Sequence, residues 1–196
     1  SYENIDLFLN HRAYDANAVN GVIDYVDARH TATGKRIRFE APRFVDSTGD
    51  GWIGFWAGAE FSYGRESVDT YGEEWDEHGE LWTPQQPDDA VMGSSVLWGS
   101  KEVENDQNFP EVPWAMPVAR DYARVAGEWQ WEFSNPDYNQ IDDAEEIRDH
   151  MLRAIYGSFS NAKKDTVNAK VKLEWVSSLV GKRESRRLVG DHIFTF

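Results

Sequence analysis

The residues best suited to hold an anionic ligand lie in one glycine-rich turn, which consists of Thr48, Gly49, Asp50 and Gly51. An extended apolar run over 36–45 leads into this turn, and small and apolar residues that can form a helix follow it. A strand, a tight turn and a helix leave backbone N–H groups pointing out of the turn, where the helix N-terminus adds partial positive charge. Glycine permits the positive φ and the close backbone approach that such a turn requires. The turn is therefore suited to an anion or a phosphate group.

Three glycines of this region, Gly49, Gly51 and Gly54, have the spacing G-x-G-x-x-G. In a dinucleotide-binding βαβ unit this motif is followed by an acid about 20 residues further on, and Asp69 lies at that distance. The segment 60–69, however, does not have the apolar character of a buried parallel strand. Glycines that serve only the geometry of a strand-to-helix turn are a better explanation than a dinucleotide fingerprint.

A second candidate site is the basic segment 182–187, which contains Arg183, Glu184, Arg186 and Arg187. The chain has 20 Lys and Arg against 35 Asp and Glu, a formal charge of −15, so this cluster stands out. One interpretation is a set of cations that complements the negative end of a preceding helix and forms weak surface ion pairs. The other is recognition of a carboxylate or phosphate by the planar guanidinium group. Charge alone does not separate the two.

Taken together, the turn and the basic segment resemble motifs of a family of FAD-dependent oxidoreductases. Members carry an Asp-x-Thr-Gly-Asp-Gly turn, then Ala-Gly-Ala, then Gly-Arg-Glu, and the corresponding residues here are 46–51, 57–59 and 64–66. The resemblance returns at 181–191, and the shorter segments 92–95, 142–145 and 173–176 are also similar to family segments. It therefore covers nearly the whole chain.

The resemblance implies that FAD is the cofactor and that a hydride passes between a small-molecule substrate and N5 of the flavin. It implies that Thr48, Gly49, Asp50 and Gly51 approach the cofactor through backbone and hydroxyl groups. It also implies that Arg183, Glu184, Arg186 and Arg187 face the flavin or the substrate, where a cation stabilises the negative charge of the reduced flavin. No catalytic acid or base is identified.

In that family a nucleotide-binding unit with its own G-x-G-x-x-G precedes a β-meander, and nothing in this sequence supplies such a unit before the meander. We therefore expect the chain to be an internal fragment, with the remainder of its own polypeptide as a partner. We also expect that the fragment alone neither binds FAD tightly nor turns over.

Hydrophobic patterning predicts an α+β fold, with a β-meander over 1–45. The predicted strands are Ile5–Leu9, Val22–Ala28, Arg36–Glu40, Val91–Trp98 and Trp129–Phe133.

Two longer helices and one short helix are also predicted. The first long helix begins at Asp142 or Asp143 and buries Ala144, Ile147, Met151, Ile155 and Phe159. The second covers Thr166–Val180 and ends at Gly181, and the short helix covers Val118–Gly127.

With the resemblance, these elements divide the chain into three regions. Residues 1–65 would be part of the flavin-binding domain, 66–165 an inserted mixed α/β cap or substrate domain, and 166–196 the return to the flavin site.

The composition argues against several functions. There is no cysteine, which excludes disulfides, thiolate nucleophiles and Cys-ligated metals. The charge of −15 argues against nucleic acid and anionic membrane surfaces as partners. No run approaches the ~20 apolar residues of a membrane helix. The acidic run 73–80 matches no metal-ligand spacing, so we interpret it as a solvated loop and expect no metal.

The nine tryptophans allow an alternative function. We favour core packing for them, but exposed rings also stack on sugars, so the alternative is a carbohydrate-binding or glycosidase-like domain with a Trp-rich acidic surface. The Thr-Gly-Asp-Gly turn and the two long predicted helices count against it, because a β-sandwich binding module lacks both.

Overall fold

The structure is a computed structural model that describes residues 3–72, 84–126 and 131–194. The chain divides into two compact units. Unit 1 comprises Ser1–Tyr63, Asp69–Glu74 and Arg186–Phe196, and unit 2 comprises Gly64–Val68 and Trp75–Ser185. Helices and small antiparallel sheets occur together, which agrees with the predicted α+β class. The three regions expected from the sequence, with boundaries after 65 and 165, stay a prediction.

The described elements follow in chain order. They are β1 (His11–Val19), β2 (Val22–His30), β3 (Arg36–Phe39), α1 (Trp52–Trp56), β4 (Phe61–Ser62), α2 (Val68–Tyr71), β5 (Ser94–Ser95), β6 (Trp98–Glu102), α3 (Met116–Ala119), β7 (Glu132–Phe133), α4 (Ala144–Ala162), β8 (Val171–Val176) and β9 (Arg187–Leu188). Short 3₁₀ turns at Pro113–Ala115 and Thr166–Asn168 complete the set.

Unit 1 contains the predicted meander as an antiparallel sheet with the order β1-β2-β3. Asn20 and Gly21 both have positive φ, 52° and 77°, which is the turn geometry that suits the twist of a tight hairpin. The core cluster beneath the sheet consists of Ala16 and Val26, with Ile53 of α1 against them. The sheet therefore holds the short helix that follows the glycine-rich turn.

The first and third strands of the meander differ from prediction. The predicted strand Ile5–Leu9 is wrong, because the Asn20–Gly21 turn pairs β2 with the residues just before it, and the first strand is β1. The extended run over 36–45 ends early, since β3 stops at Phe39 and Pro42 has no N–H to give to a ladder.

Unit 2 is built on α4, the long helix predicted from Asp142 or Asp143 onward. Ile147, Met151, Ile155 and Phe159 are all buried on one face, as the period of 3.6 predicts. Asp143 stands at the N-cap but makes no capping bond; its carboxylate accepts from Asn139 N instead, at 2.8 Å.

The second predicted long helix, Thr166–Val180, is wrong. The chain makes a 3₁₀ turn at Thr166–Asn168 and then the strand β8, which pairs antiparallel with β6. Gly181 is accordingly not a helix cap; its N–H donates to the carbonyl of Ser95 at 2.8 Å, and the Ser95 N–H donates back at 3.0 Å.

Three shorter predictions also need correction. Val91–Trp98 is not one strand, because 91–93 lie outside any strand and Val96 and Leu97 separate β5 from β6. The described part of Val118–Gly127 is not helical beyond Ala119, where α3 ends; Arg120 follows with φ 51°, outside the helical region. Of Trp129–Phe133, β7 forms the described end, and residues 127–130 lie outside the described residues.

Candidate functional site

The glycine-rich turn is organised by a carboxylate just ahead of it, that of Asp46. Asp46 Oδ1 accepts from the backbone N–H of Thr48 at 3.0 Å and from the Thr48 hydroxyl at 2.7 Å. Asp46 Oδ2 accepts from Gly54 N at 3.0 Å, within α1. The Thr48 Oγ1 atom in turn accepts from Trp52 N at 2.8 Å. Asp46 and Thr48 together cap the start of the helix.

These contacts also set the charge of Asp46. Partial burial acts to raise its pKa, but hydrogen bonds from Gly54 N, from Thr48 and from Ile53 N outweigh burial and lower the pKa below its usual value. The carboxylate is therefore ionised at neutral pH. Some of the N–H groups at the helix start, which suit an anion, already have an anionic partner within the chain. A ligand has to approach the turn through Gly49 and its neighbours.

The three glycines of the G-x-G-x-x-G spacing have different structural roles. Gly49 has φ +88°, and a Cβ built there would meet no heavy atom within 4 Å, so its backbone is open to approach. Gly51 has φ +64° and lies against Leu188. A Cβ on Gly54 would lie 2.5 Å from Leu188 Cδ1, so a larger residue there would require the Leu188 side chain to move.

A dinucleotide fingerprint is not supported. Every strand pair among the described residues is antiparallel, and Asp69 lies in the first turn of α2 rather than after a strand.

The structure brings one residue of the basic segment, Arg186, to the turn. Arg186 Nη1 donates to the carbonyl oxygen of Asp50 at 3.2 Å. Its guanidinium carbon lies 4.4 Å from the ring centroid of Trp52, 4.0 Å from that of Phe55 and 5.6 Å from that of Phe61. Cation–π contacts of this length hold a guanidinium in place. The result is a half-buried, fixed cation beside the Thr48–Gly51 turn.

The pairing of β4 with β9 explains how distant parts of the sequence meet here. Phe61 lies opposite Leu188 and Ser62 lies opposite Arg187, and the Val189 N–H donates to the carbonyl of Glu60 at 2.9 Å. This short ladder carries Arg186 to the aromatic rings of α1 and β4, and Leu188 to the glycines of the turn.

The other residues of the basic segment have different surroundings. Arg183 and Glu184 belong to unit 2. Arg183 Nη1 lies 2.6 Å from Glu132 Oε2, and Glu184 Oε2 accepts from Met92 N at 2.8 Å. Arg187 belongs to unit 1 and is half-buried in β9. The predicted set of four is therefore divided between the two units.

A family model described as FAD dependent oxidoreductase matches residues 1–196 of the chain. The chain belongs to this family. The resemblance inferred from the turn and the basic segment is thereby confirmed. No curated protein and no solved structure matches the chain significantly.

The family implies FAD, and the residues of the turn fit part of such a group. Gly49 is exposed, with room beside its Cα for a ligand atom. Arg186 supplies a fixed cation and Trp52 and Phe55 supply aromatic surface, as an anionic planar group requires. The Thr48 hydroxyl already donates to Asp46 and accepts from Trp52, and its predicted contact with the cofactor stays a prediction.

Sequence reasoning missed several residues that shape the site. Asp46 could have been found, since an Asp two residues before a Thr-Gly turn is a typical local capping acceptor. Trp52 and Phe55 lie three residues apart on α1 and so share a face, which is also readable from sequence. The approach of Phe61 and Leu188 depends on the β4–β9 ladder, which no local pattern signals.

A second motif segment, Gly64-Arg65-Glu66, has a structural role in unit 2. Arg65 forms an ion pair with Asp88, and the two residues also exchange backbone hydrogen bonds at 2.8 and 3.1 Å. The guanidinium lowers the pKa of Asp88 below its usual value.

Some tryptophans fit core packing and others are exposed, as the alternative of a sugar-binding surface requires. Trp98 is fully buried in the core of unit 2, as packing predicts, and Trp114 is 53% exposed. Trp75, Trp82 and Trp129 lie outside the described residues, as does the acidic run 73–80. Within 3–72, 84–126 and 131–194, no group of three His, Asp or Glu side chains is arranged to hold a metal ion. No helix formed by the described part of the chain is long and apolar enough to cross a membrane.

Proposed function

We propose that this chain supplies part of the flavin site of an FAD-dependent oxidoreductase, with the turn of Thr48, Gly49, Asp50 and Gly51 and the side chain of Arg186 against the cofactor. The observation that carries the proposal is the position of Arg186, which lies over three aromatic rings while it donates to the backbone of Asp50. A fixed cation at an open glycine turn is what an anionic planar cofactor needs.

When bound, FAD supplies the chemistry of hydride transfer to or from a small-molecule substrate. The chain contributes position and electrostatics. The Arg186 guanidinium would stabilise negative charge on a bound cofactor without having to reorganise, because the rings around it hold it in place. The same rings exclude water from one side of the guanidinium, which strengthens its electrostatic effect.

The turn itself has a positioning role. Gly49 lets the backbone approach a ligand closely, because it has positive φ and nothing lies within 4 Å of where a Cβ would stand, whereas Gly51 packs against Leu188. Asp46 fixes the backbone of the turn by accepting hydrogen bonds from Thr48 and Gly54. We therefore regard Asp46 as a positioning residue.

Arg183, Glu184 and Arg187 stay candidates for contact with the flavin or the substrate. Of these, Arg183 carries a charge that Glu132 already compensates, at 2.6 Å. We therefore expect Arg186 to matter more for the reaction than Arg183, and this difference supplies a matched control.

The test compares Arg186→Ala with Arg183→Ala in the flavin-loaded enzyme. Arg186→Ala should slow reduction of the flavin by substrate on the order of 10²-fold, because a desolvated charge is removed. Arg186→Lys should recover part of the rate, since it keeps the charge but not the planar fork. Stopped-flow absorbance gives the rate, and the flavin bands per mole of protein give the occupancy.

Two outcomes would contradict the proposal. One is wild-type reduction and full occupancy in Arg186→Ala. The other is a rate loss in Arg183→Ala as large as that in Arg186→Ala, which would mean that overall charge matters rather than this position.

A further inference from the structure

Three arginines form a row across the three-stranded sheet of unit 1. Arg12 of β1 lies opposite Arg29 of β2, and Arg29 lies opposite Arg36 of β3. Residues directly opposite each other in an antiparallel sheet point to the same face, with Cβ atoms about 5 Å apart. All three side chains are exposed. Arg12, Arg29 and Arg36 are called the arginine row below.

The arginine row is expected to destabilise the sheet that carries it. Like charges directly opposite each other on neighbouring strands are destabilising. Among the described residues, no carboxylate forms an ion pair with Arg12, Arg29 or Arg36. Two residues further along β3, Arg38 lies opposite Asp27 and pairs with it at 2.8 Å. At that same position across the sheet Asp15 lies opposite Asp27, so like charges face each other there too, but Asp27 is ion-paired with Arg38, whereas no member of the arginine row is ion-paired among the described residues. Such local conflicts are expected where a residue serves function.

An aromatic ring, that of Tyr14, contacts two members of the arginine row. The guanidinium carbons of Arg29 and Arg36 lie 5.6 and 5.8 Å from the ring centroid of Tyr14. Tyr14 lies where the register of β1 shifts between Ala13 and Asp15. Contacts with a ring leave the N–H groups of a guanidinium available for an acceptor in the ring's surroundings. The donors therefore remain available on an exposed face.

We propose that the arginine row binds an acidic polypeptide segment through its carboxylates. The planar fork of Arg matches a carboxylate with two parallel hydrogen bonds. Neighbouring strands lie about 4.8 Å apart, so the row is about 10 Å wide and accommodates two or three carboxylates. The partner's charges would relieve the repulsion that the row imposes on the free sheet.

A polypeptide fits this face better than the other anions that arginine binds. A small molecule prefers a concave site that encloses most of its surface, and a sheet face is open. A nucleic acid carries a charge every ~1.7 Å along its axis and extends far beyond the row, over a chain whose net charge is −15. A short acidic segment, in contrast, matches the width of the arginine row without extending beyond it.

The test uses a fluorescently labelled oligo-glutamate peptide and the whole chain, with binding followed by anisotropy. The variant pair Arg12→Gln and Arg29→Gln, made together, should weaken binding at least about tenfold, because charge-assisted bidentate pairs are lost. The matched control, Lys170→Gln with Lys172→Gln, removes the same charge from exposed positions in unit 2 and should leave binding within about twofold. The arginine double variant should also melt about 2 °C higher than the wild type, because the like charges no longer repel.

Any of four results would overturn the proposal. The wild-type chain does not bind the peptide; the control loses as much affinity as the arginine variant; single-stranded DNA of equal charge binds as tightly as the peptide; or the arginine variant melts lower, which would give the row a structural role.

Discussion

Units 1 and 2 differ in the size of the apolar cores that their described residues form. In unit 2, large apolar side chains such as Trp98, Ile147 and Phe159 are fully buried around α4. Among the described residues, the buried core cluster of unit 1 is Ala16, Val26 and Ile53, with smaller contributions from partly buried neighbours such as Phe44 and Trp56. Unit 1 adds polar contacts to this small core, in particular the capping carboxylate of Asp46 and the cation–π contacts of Arg186.

The comparison teaches where function and stability are coupled. Burying apolar area stabilises a fold without regard to pH, whereas a hydrogen-bonded carboxylate and a fixed cation depend on charge. The candidate site lies in unit 1, where the hydrogen-bonded Asp46 carboxylate and the Arg186 cation hold the turn. We therefore expect substitutions at the site to change the stability of unit 1 as well as the chemistry, and substitutions around α4 to change stability alone.

The largest effect is expected for Phe159→Ala in unit 2. The ring is fully buried and lies edge-on to Trp98 and Phe109, with centroids 6.3 and 4.9 Å away. Truncation leaves a cavity and should lower the free energy of unfolding by about 3–5 kcal/mol. Amide hydrogen exchange in α4 measures the loss. The control is Val167→Ala, whose side chain is 78% exposed and should change little. A small effect of Phe159→Ala would mean that unit 2 does not depend on its apolar core.

The two units also differ in how far sequence predicts them. The helix α4 was predictable because Ile147, Met151, Ile155 and Phe159 repeat with a helical period within one segment. Thr166–Val180 could be given a helical stripe too, but Val171–Val176 also alternates as a strand does, and pairing with β6 decides between the two. A tertiary partner overrides a local pattern there.

The part of the candidate site formed by neighbouring residues was predictable from sequence. The part formed by residues distant in sequence was not. The turn from Thr48 to Gly51 is a contiguous motif, and its capping by Asp46 follows from neighbouring residues. The contact of Arg186 with Asp50 joins residues 136 positions apart. It depends on the short β4–β9 ladder, whose two-residue strands give no periodic signal.

Two glycine substitutions are expected to have the next largest effects on stability, and they compare the packing of the two units. In unit 2, Gly64→Ala should lower the free energy of unfolding by about 2–4 kcal/mol, because the residue has φ +77° and its Cβ would lie 2.0 Å from the Asp88 carbonyl oxygen, which is backbone. In unit 1, Gly54→Ala meets only the tip of the Leu188 side chain, which can move, and should lower it by about 1 kcal/mol. Thermal unfolding of both variants gives the ratio; equal effects would show that unit 1 is packed as rigidly as unit 2.

A moderate effect is expected for Asp46→Ala, about 1–2 kcal/mol, because it leaves the cap of α1 without its acceptor. The effect should depend on pH. Since the folded pKa of Asp46 is lowered, its contribution is fully present above the unfolded value near 4 and is lost as pH falls through the folded pKa. Wild type and variant should therefore converge in stability in strong acid. A difference that stays constant from pH 7 to about pH 2 would show that the carboxylate charge is not what stabilises the turn.

The smallest effect is expected for Arg183, one of two arginines that the sequence could not tell apart. Arg183 pairs with Glu132, but their side chains are 47% and 39% exposed, and water and salt screen such a pair. Arg183→Gln should therefore change the free energy of unfolding by less than about 0.5 kcal/mol. Arg186→Gln removes a half-buried cation from three rings and should lower it by about 1–2 kcal/mol, with little dependence on salt. Melting curves at low and high salt measure both. A larger loss of stability for Arg183→Gln than for Arg186→Gln would contradict this prediction. It would mean that an exposed, ion-paired arginine of unit 2 stabilises the chain more than an arginine of unit 1 held over three aromatic rings.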